Sequence, residues 1–266
     1  MLPGGPRSPV VPRGAVAARP AGRENAWPPR RAARSVAVMR VLSVNVGQPR
    51  PNPWKGLSQT GIDKRPVDGP VPVREPGPKG TGAVGLAGDR VYDVRHHGGT
   101  DQAVYAYARE ELDAWEAELG RRLGNGAFGE NLTTAGLAVS DALIGERWRV
   151  GADLVLEVSC PRIPCGTFQG WLERDGWIRR FTQAARPGTY LRVITPGDVR
   201  GGDAVQIVHR PAHDVTAAVV FRALTREPDL LPGLLRAGAL PAEIREQARS
   251  AAWRRPDRAV TFDQSG

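Results

Sequence analysis

Short runs in which apolar positions alternate with polar ones recur through most of this chain, and they predict strands. "VMRVLSVNVG" (38–47) alternates enough to be a buried strand, and "AVYAYA" (103–108) is β-branched and aromatic. "ERWRVG" (146–151) and "LVLEVSC" (154–160) flank a turn at Gly151-Ala152-Asp153 and predict a hairpin. "TYLRVI" (189–194) and "AVQIVH" (204–209), separated by "TPGDVRGGD", predict another. Many short strands with Gly- and Pro-rich turns point to a mainly β fold, a barrel or a sandwich.

One helical period interrupts them. In "AREELDAWEAELGRRLG" (108–124), Leu112, Trp115, Leu119 and Leu123 fall at spacings of three and four on one face, with Gly124 placed to end the helix. After His209 the texture changes. "DVTAAVVFRALTRE", "DLLPGLLRAGA" and "PAEIREQARSAAWRR" read as three short helices, with Asp214 as an N-cap and Pro241 at a first helical position. The expected organisation is a basic arm (1–38), a β domain (39–210), a three-helix module (211–256) and a tail (257–266).

Composition supports a buried core: of 266 residues, 41% are apolar and 24% charged. No apolar run approaches the ~18 residues of a membrane-spanning helix, so no membrane association is expected. The net charge of +9 hints at nucleic acid until it is divided along the chain. Residues 1–38 hold seven arginines against Glu24, a local +6 that leaves +3 for the remaining 228 residues. Nucleic acid is therefore not the expected partner. The arm also carries seven prolines and no apolar period, and it reads as a disordered extension before a start at Met39. No secretory h-region is present, so a cytoplasmic location with free thiols is expected.

Four stretches hold candidate chemistry. "KGTGAVG" has the Gly80-x-Gly82-x-x-Gly85 spacing of a dinucleotide turn, but neither a buried strand before it nor a helix after it, and it reads as a plain glycine-rich loop. "RHHGGTDQAVYAY" places His96 and His97 before two glycines, either as a tight turn or as a loop that cradles an anion. "FGENLTT" (128–134) offers Glu130 and Asn131 in a polar turn that Asn self-capping would stabilise. "CPRIPC" (160–165) holds both cysteines of the chain around two prolines and Arg162. Cys160, ending an apolar strand, reads as a buried small hydrophobe. Cys165 sits in a stiffened corner where Arg162 favours its thiolate. A zinc site from both histidines and both cysteines is awkward, because adjacent extended residues face opposite ways.

In this order and spacing, "TGIDKRPV", "GLAGDRVYDVRHHGG", "QAVYAY", "FGENLTT" and "PRIPC" resemble the MOSC family, the domain related to the C-terminal part of molybdenum cofactor sulfurases, and within it the stand-alone bacterial YiiM-like branch. The resemblance covers roughly 39–210, and the trailing helices look like that branch's three-helix module. It implies a MOSC-type β-barrel with a few peripheral helices, and a groove for the molybdenum cofactor (molybdopterin) with Cys165 as metal ligand. Lys55, Gly98, Gly99, Asn131 and Arg162 are then the candidates for the pterin and its phosphate, and His97 the candidate proton donor. The implied activity is reduction of small N-hydroxylated compounds such as hydroxylaminopurine-type bases. A separate NAD(P)H-dependent reductase would supply electrons, since no flavin, haem or iron–sulfur motif is visible. The alternative is a non-catalytic carrier of cofactor or sulfur, without the pyridoxal-phosphate domain that generates sulfur in sulfurases. Gln102, where relatives often have Lys, and Gly166-Thr167-Phe168, where a basic residue often follows the cysteine, depart from the family pattern.

Overall fold

The computed structural model describes residues 38–253. The basic arm, except for Val38, and the tail at 257–266 lie outside the described residues, as do the last residues of the expected helical module. The described residues form ten strands: β1 (Arg40–Pro51), β2 (Gln59–Val67), β3 (Val71–Val73), β4 (Val104–Ala108), β5 (Leu132–Ala135), β6 (Arg147–Val150), β7 (Leu154–Cys160), β8 (Thr189–Thr195), β9 (Gly197–Val199) and β10 (Val205–His209). Eight of them make one sheet in the order β10-β6-β7-β8-β4-β5-β1-β2, and β3 pairs with β9 in a second.

The large sheet is curled but not closed. Strand β1 bends round until Arg40 bridges Ala204 and the Val205 amide donates to the Met39 carbonyl at 2.8 Å, yet the edge strands β2 and β10 do not pair with each other. The coarser expectation, a sheet-dominated fold with a few helices, is what the structure shows, and the strand pairings do not close the sheet into the expected barrel. The expected hairpin of "TYLRVI" and "AVQIVH" is also absent. Strand β8 pairs with β7 and β4, while β10 pairs with β6, because the connection between them is drawn off as β9 onto β3. The β6–β7 hairpin forms as expected.

The described residues form five α-helices: α1 (Arg109–Leu119), α2 (Gly166–Trp171), α3 (Trp177–Ala184), α4 (Ala217–Thr225) and α5 (Ala242–Trp253). Helix α1 carries the chain from β4 to its parallel neighbour β5, the crossover that parallel pairing requires. It stops at Gly120, in the left-handed region at φ 66°, and not at Gly124, because an L-residue there would be strained. Helices α2 and α3 depart from the expectation of a single helix in this part of the chain. In the C-terminal module, Thr216 and not Asp214 caps α4, accepting from the Val219 amide at 3.1 Å. The middle segment, Pro228–Arg236, is a 3-10 helix, since Pro232 has no amide hydrogen to give an α-helical bond. Buried Val220, Leu234, Leu240 and Ala248 join the same apolar cluster as the sheet, so the module shares the core. No helix among the described residues is long and apolar enough to cross a membrane.

One aromatic cluster holds the helices on the sheet. Trp115 of α1, Phe128, Phe168 of α2, and Trp177 and Phe181 of α3 are fully buried, with Trp115–Trp177 centroids 4.8 Å and Phe128–Phe168 centroids 5.1 Å apart in edge-on contacts. Such pairs contribute beyond the area that they bury. Phe181 extends the cluster to Phe221 of α4 at 6.0 Å. Phe181→Ala should therefore lower the unfolding free energy by about 3–5 kcal/mol in urea titration. A cost below ~1 kcal/mol would mean that these helices dock by other contacts.

Candidate functional site

Strand β7 ends at Cys160 and the chain turns through Pro161 and Pro164 to reach Cys165, the residue that precedes α2. Cys165 has extended backbone angles (φ −134°, ψ 172°), makes no capping bond with its side chain and is half-buried. Cys160 is 4% exposed, with its thiol lying against Ser159 and the Asp101 carbonyl. Burial pushes it up to about 12, so it stays a protonated, inert thiol. The pair is free and unequal, as the sequence implies.

A cleft opens beside Cys165, with a void of about 850 Å³ counted out to open solvent. Of the residues expected at the site, Cys165, His97, Gly98, Asn131 and Arg162 line it. Lys55 and Gly99 do not. Lys55 forms an ion pair with Asp93, a lining residue. Gly99 supports the turn from behind: at φ 80°, a Cβ there would lie 2.7 Å from the Lys79 amide nitrogen.

Arg162 is only 5% exposed. Its guanidinium donates to the Phe128 carbonyl and lies 3.7 Å from the centroid of the Phe168 ring, with Tyr105 at 5.4 Å on the cation–π scale. Among the described residues no carboxylate pairs with it. Burial opposes its charge, but the surrounding phenols of Tyr105 and Tyr190 and the Cys165 thiol hold its pKa above the ordinary guanidinium value. A buried, unpaired cation in a cleft wall calls for an anionic ligand.

His97 stands across from it, with Nδ1 3.4 Å from the Tyr190 hydroxyl. Burial first, and then repulsion from Arg162, lower its pKa to about 4. The reason for choosing His97, titration near neutral pH, is therefore corrected: the imidazole is neutral at pH 7 and is not a standing imidazolium acid.

Asn131 has its polar atoms occupied by protein. Its Nδ2 donates to Asp89 at 2.8 Å and to the Asn45 carbonyl at 3.3 Å, while Oδ1 accepts from the Tyr105 amide at 3.0 Å. The turn before it is held by Glu130, whose carboxyl accepts from the amides of Gly126 and Phe128 and from Thr133 at 2.6–2.9 Å. Asn self-capping, expected from the sequence, is thus replaced by Glu130. Burial raises the Glu130 pKa against the pull of those bonds.

Three features of the cleft went unassigned in the sequence. Lys64 of β2 and Asp89 form a buried ion pair at 2.5 Å, and Asp89 also accepts from the Gly47 amide at 2.8 Å. Gly47 permits that approach, since a Cβ there would meet Asp89 Oδ1 at 2.8 Å. Asn52 and Thr167 bond to each other across the cleft wall at 3.2 Å. Tyr105 and Tyr190 pack 5.1 Å apart beside Arg162, with both hydroxyls raised in pKa by burial. Lys64 and Asp89 stand in two of the stretches that carry the family resemblance, which was the signal available for them.

No group of three or more His, Cys, Asp or Glu among the described residues is arranged to hold a metal ion. What the cleft offers is one accessible thiol, an unpaired guanidinium and a neutral imidazole. That donor set suits a metal that arrives in its own anionic chelate and takes one soft protein ligand.

A profile of the MOSC domain matches residues 93–206. The Bacillus subtilis (strain 168) protein YflK is 32% identical over 216 residues, spanning 80% of this chain and 90% of YflK. A reductase of Gibberella moniliformis is 30% identical over 174 residues, 64% of this chain but 29% of that longer protein. The crystal structure of YiiM from Geobacillus stearothermophilus superposes with a TM-score of 0.64 at 28% identity, over 80% of this chain and 98% of that one. On the profile match and the likeness to relatives over most of both chains, the chain belongs to the MOSC domain family.

Proposed function

We propose that the cleft binds a molybdenum cofactor and that the chain reduces N-hydroxylated compounds with electrons from a separate NAD(P)H-dependent reductase. The observation that carries this reading is the juxtaposition of Cys165 with the buried, unpaired guanidinium of Arg162 in one cleft. Arg162 would neutralise the anionic chelate or its phosphate, and Cys165 would complete the metal's coordination as thiolate. When bound, the cofactor would supply two-electron oxygen-atom-transfer chemistry. Overall, an N–OH group, two electrons and two protons become N–H and water. Similarity to a protein named as a reductase supports the reaction class.

In this reading the neutral His97 relays a proton from solvent or the Tyr190 hydroxyl and does not store one. Lys64, tied to Asp89, and Lys55, tied to Asp93, would brace the cleft walls through these ion pairs. Asp93 is stabilised as a carboxylate: burial works against it, but bonds from Lys55 and His96 lower its pKa to about 2.

Protein purified without oxygen from cofactor-competent cells should carry close to stoichiometric molybdenum and pterin, and Cys165→Ser should lower the metal content about tenfold or more by elemental analysis. Absence of both from folded wild-type protein would leave a transient carrier of cofactor or sulfur as the use of the cleft. In cofactor-free protein, the NMR titration midpoint of His97 should lie near 4, and Arg162→Gln should move it up toward 6.5 because a neighbouring positive charge is removed. An unchanged midpoint in that variant would show that Arg162 does not set the protonation of His97.

A further inference from the structure

Residues 52–58 connect β1 to β2 and reach two separate segments that border the cleft. On one side is α2, which begins directly after Cys165: Asn52 Nδ2 donates to Thr167 Oγ1 at 3.2 Å, and Trp54 lies on Gly170 so closely that a Cβ there would collide with the indole ring. On the other side Lys55 pairs with Asp93, which lines the cleft just before the histidine turn. Asn52 and Leu57, at the two ends of the loop, line the cleft themselves. The loop therefore straps the Cys165 wall to the Asp93 wall.

Its base is firm and its tip is lightly held. The Asn52 amide donates to the Ser58 carbonyl at 3.1 Å, and the Leu57 amide to the Lys55 carbonyl at 2.6 Å, so residues 53–57 are tied into one unit between two fixed ends. From Pro53 to Gln59 no residue is buried. Trp54 keeps 39% of its surface exposed, the Lys55 side chain 35%, and a Cβ on Gly56 would meet nothing within 4 Å. An ion pair with so exposed a partner is weak, and a segment with few buried apolar contacts is where local opening costs least. Gly170 is unfavourable inside a helix, and the space it leaves is what the indole occupies.

We propose that residues 53–57 are a lid on the cleft, latched by the Lys55–Asp93 ion pair and by Trp54 seated on Gly170, and that they swing as a unit to pass bulky ligands. Opening gives up one partly exposed ion pair and one half-seated indole while the bond at the base stays made. The closed state is thus favoured but not locked, which is what a gate for entry and release requires. Small solutes reach the half-buried Cys165 with the lid shut, and larger ones wait for it to open. This device holds whatever the cleft carries and stands apart from the reductase reading.

Iodoacetamide and its N-pyrenyl derivative carry the same reactive group on bodies of very different size. In the full chain produced without molybdate, the pyrenyl reagent should alkylate wild-type Cys165 about tenfold more slowly than iodoacetamide, after correction for their rates with glutathione. Lys55→Met should raise the corrected pyrenyl rate about threefold. Gly170→Ala, which fills the seat of the indole, should remove the size discrimination, both changes being read by peptide mass mapping. Absence of discrimination in wild type, or discrimination left unchanged in either variant, would overturn the lid. Equal acceleration of both reagents would overturn it as well, because the thiol and not its access has then changed. So would labelling of the buried Cys160 in the variants, since the chain as a whole is then loosened.

Discussion

A guanidinium buried without a carboxylate is the constraint around which this cleft is arranged. Arg162 is kept inside by the Phe168 ring at 3.7 Å and by the Phe128 carbonyl, so its position depends on the aromatic cluster that docks α2 and α3. The same cation adds to burial in lowering the pKa of His97, and it faces Cys165. Packing, protonation and the demand for an anionic ligand thus meet at one side chain, because a charge in a low-dielectric wall acts on its titratable neighbours.

Polar side chains of the cleft divide into those consumed by the protein and those left to a ligand. Asp89 takes bonds from Lys64, the Gly47 amide and Asn131, and so joins β1, β2 and the turn before β5 in a single buried node. Glu130 does the same for the turn at 126–130. Such saturated groups make walls, since moving any one of them would strand several buried donors. Cys165, Arg162 and His97 retain unspent capacity, and these are the groups around which recognition and chemistry can be built.

Strands β1, β4 and β7, the β6–β7 hairpin and helix α1 were legible as hydrophobic periods, since each is a local pattern with one buried face. Helix α2 was not: six residues with two glycines give no period, and its place is decided by Phe168 entering the aromatic cluster. Helix α3 had a signal in Trp177 and Phe181, four residues apart, that went unused. The β8 pairing was misassigned because the choice of partner is non-local, made when β9 leaves to pair with β3. At the site, the unequal cysteines were readable from their flanks, an apolar strand for Cys160 and a proline corner for Cys165. Asn131 could not be told from a ligand-binding amide until its three partners, from three distant segments, were in place.

By itself the sequence determined the strands and the helix that carry a clear hydrophobic period, the family to which its motifs belong and the thiol that stands at a rigid corner, because periodicity, turn residues and motif spacing act over short stretches of chain. Tertiary structure alone decided that the sheet stays open, that His97 is neutral and that Asn131 is a brace. Each of these depends on how far water is excluded and which distant groups arrive within about 3 Å, the range at which a hydrogen bond is made or left wanting.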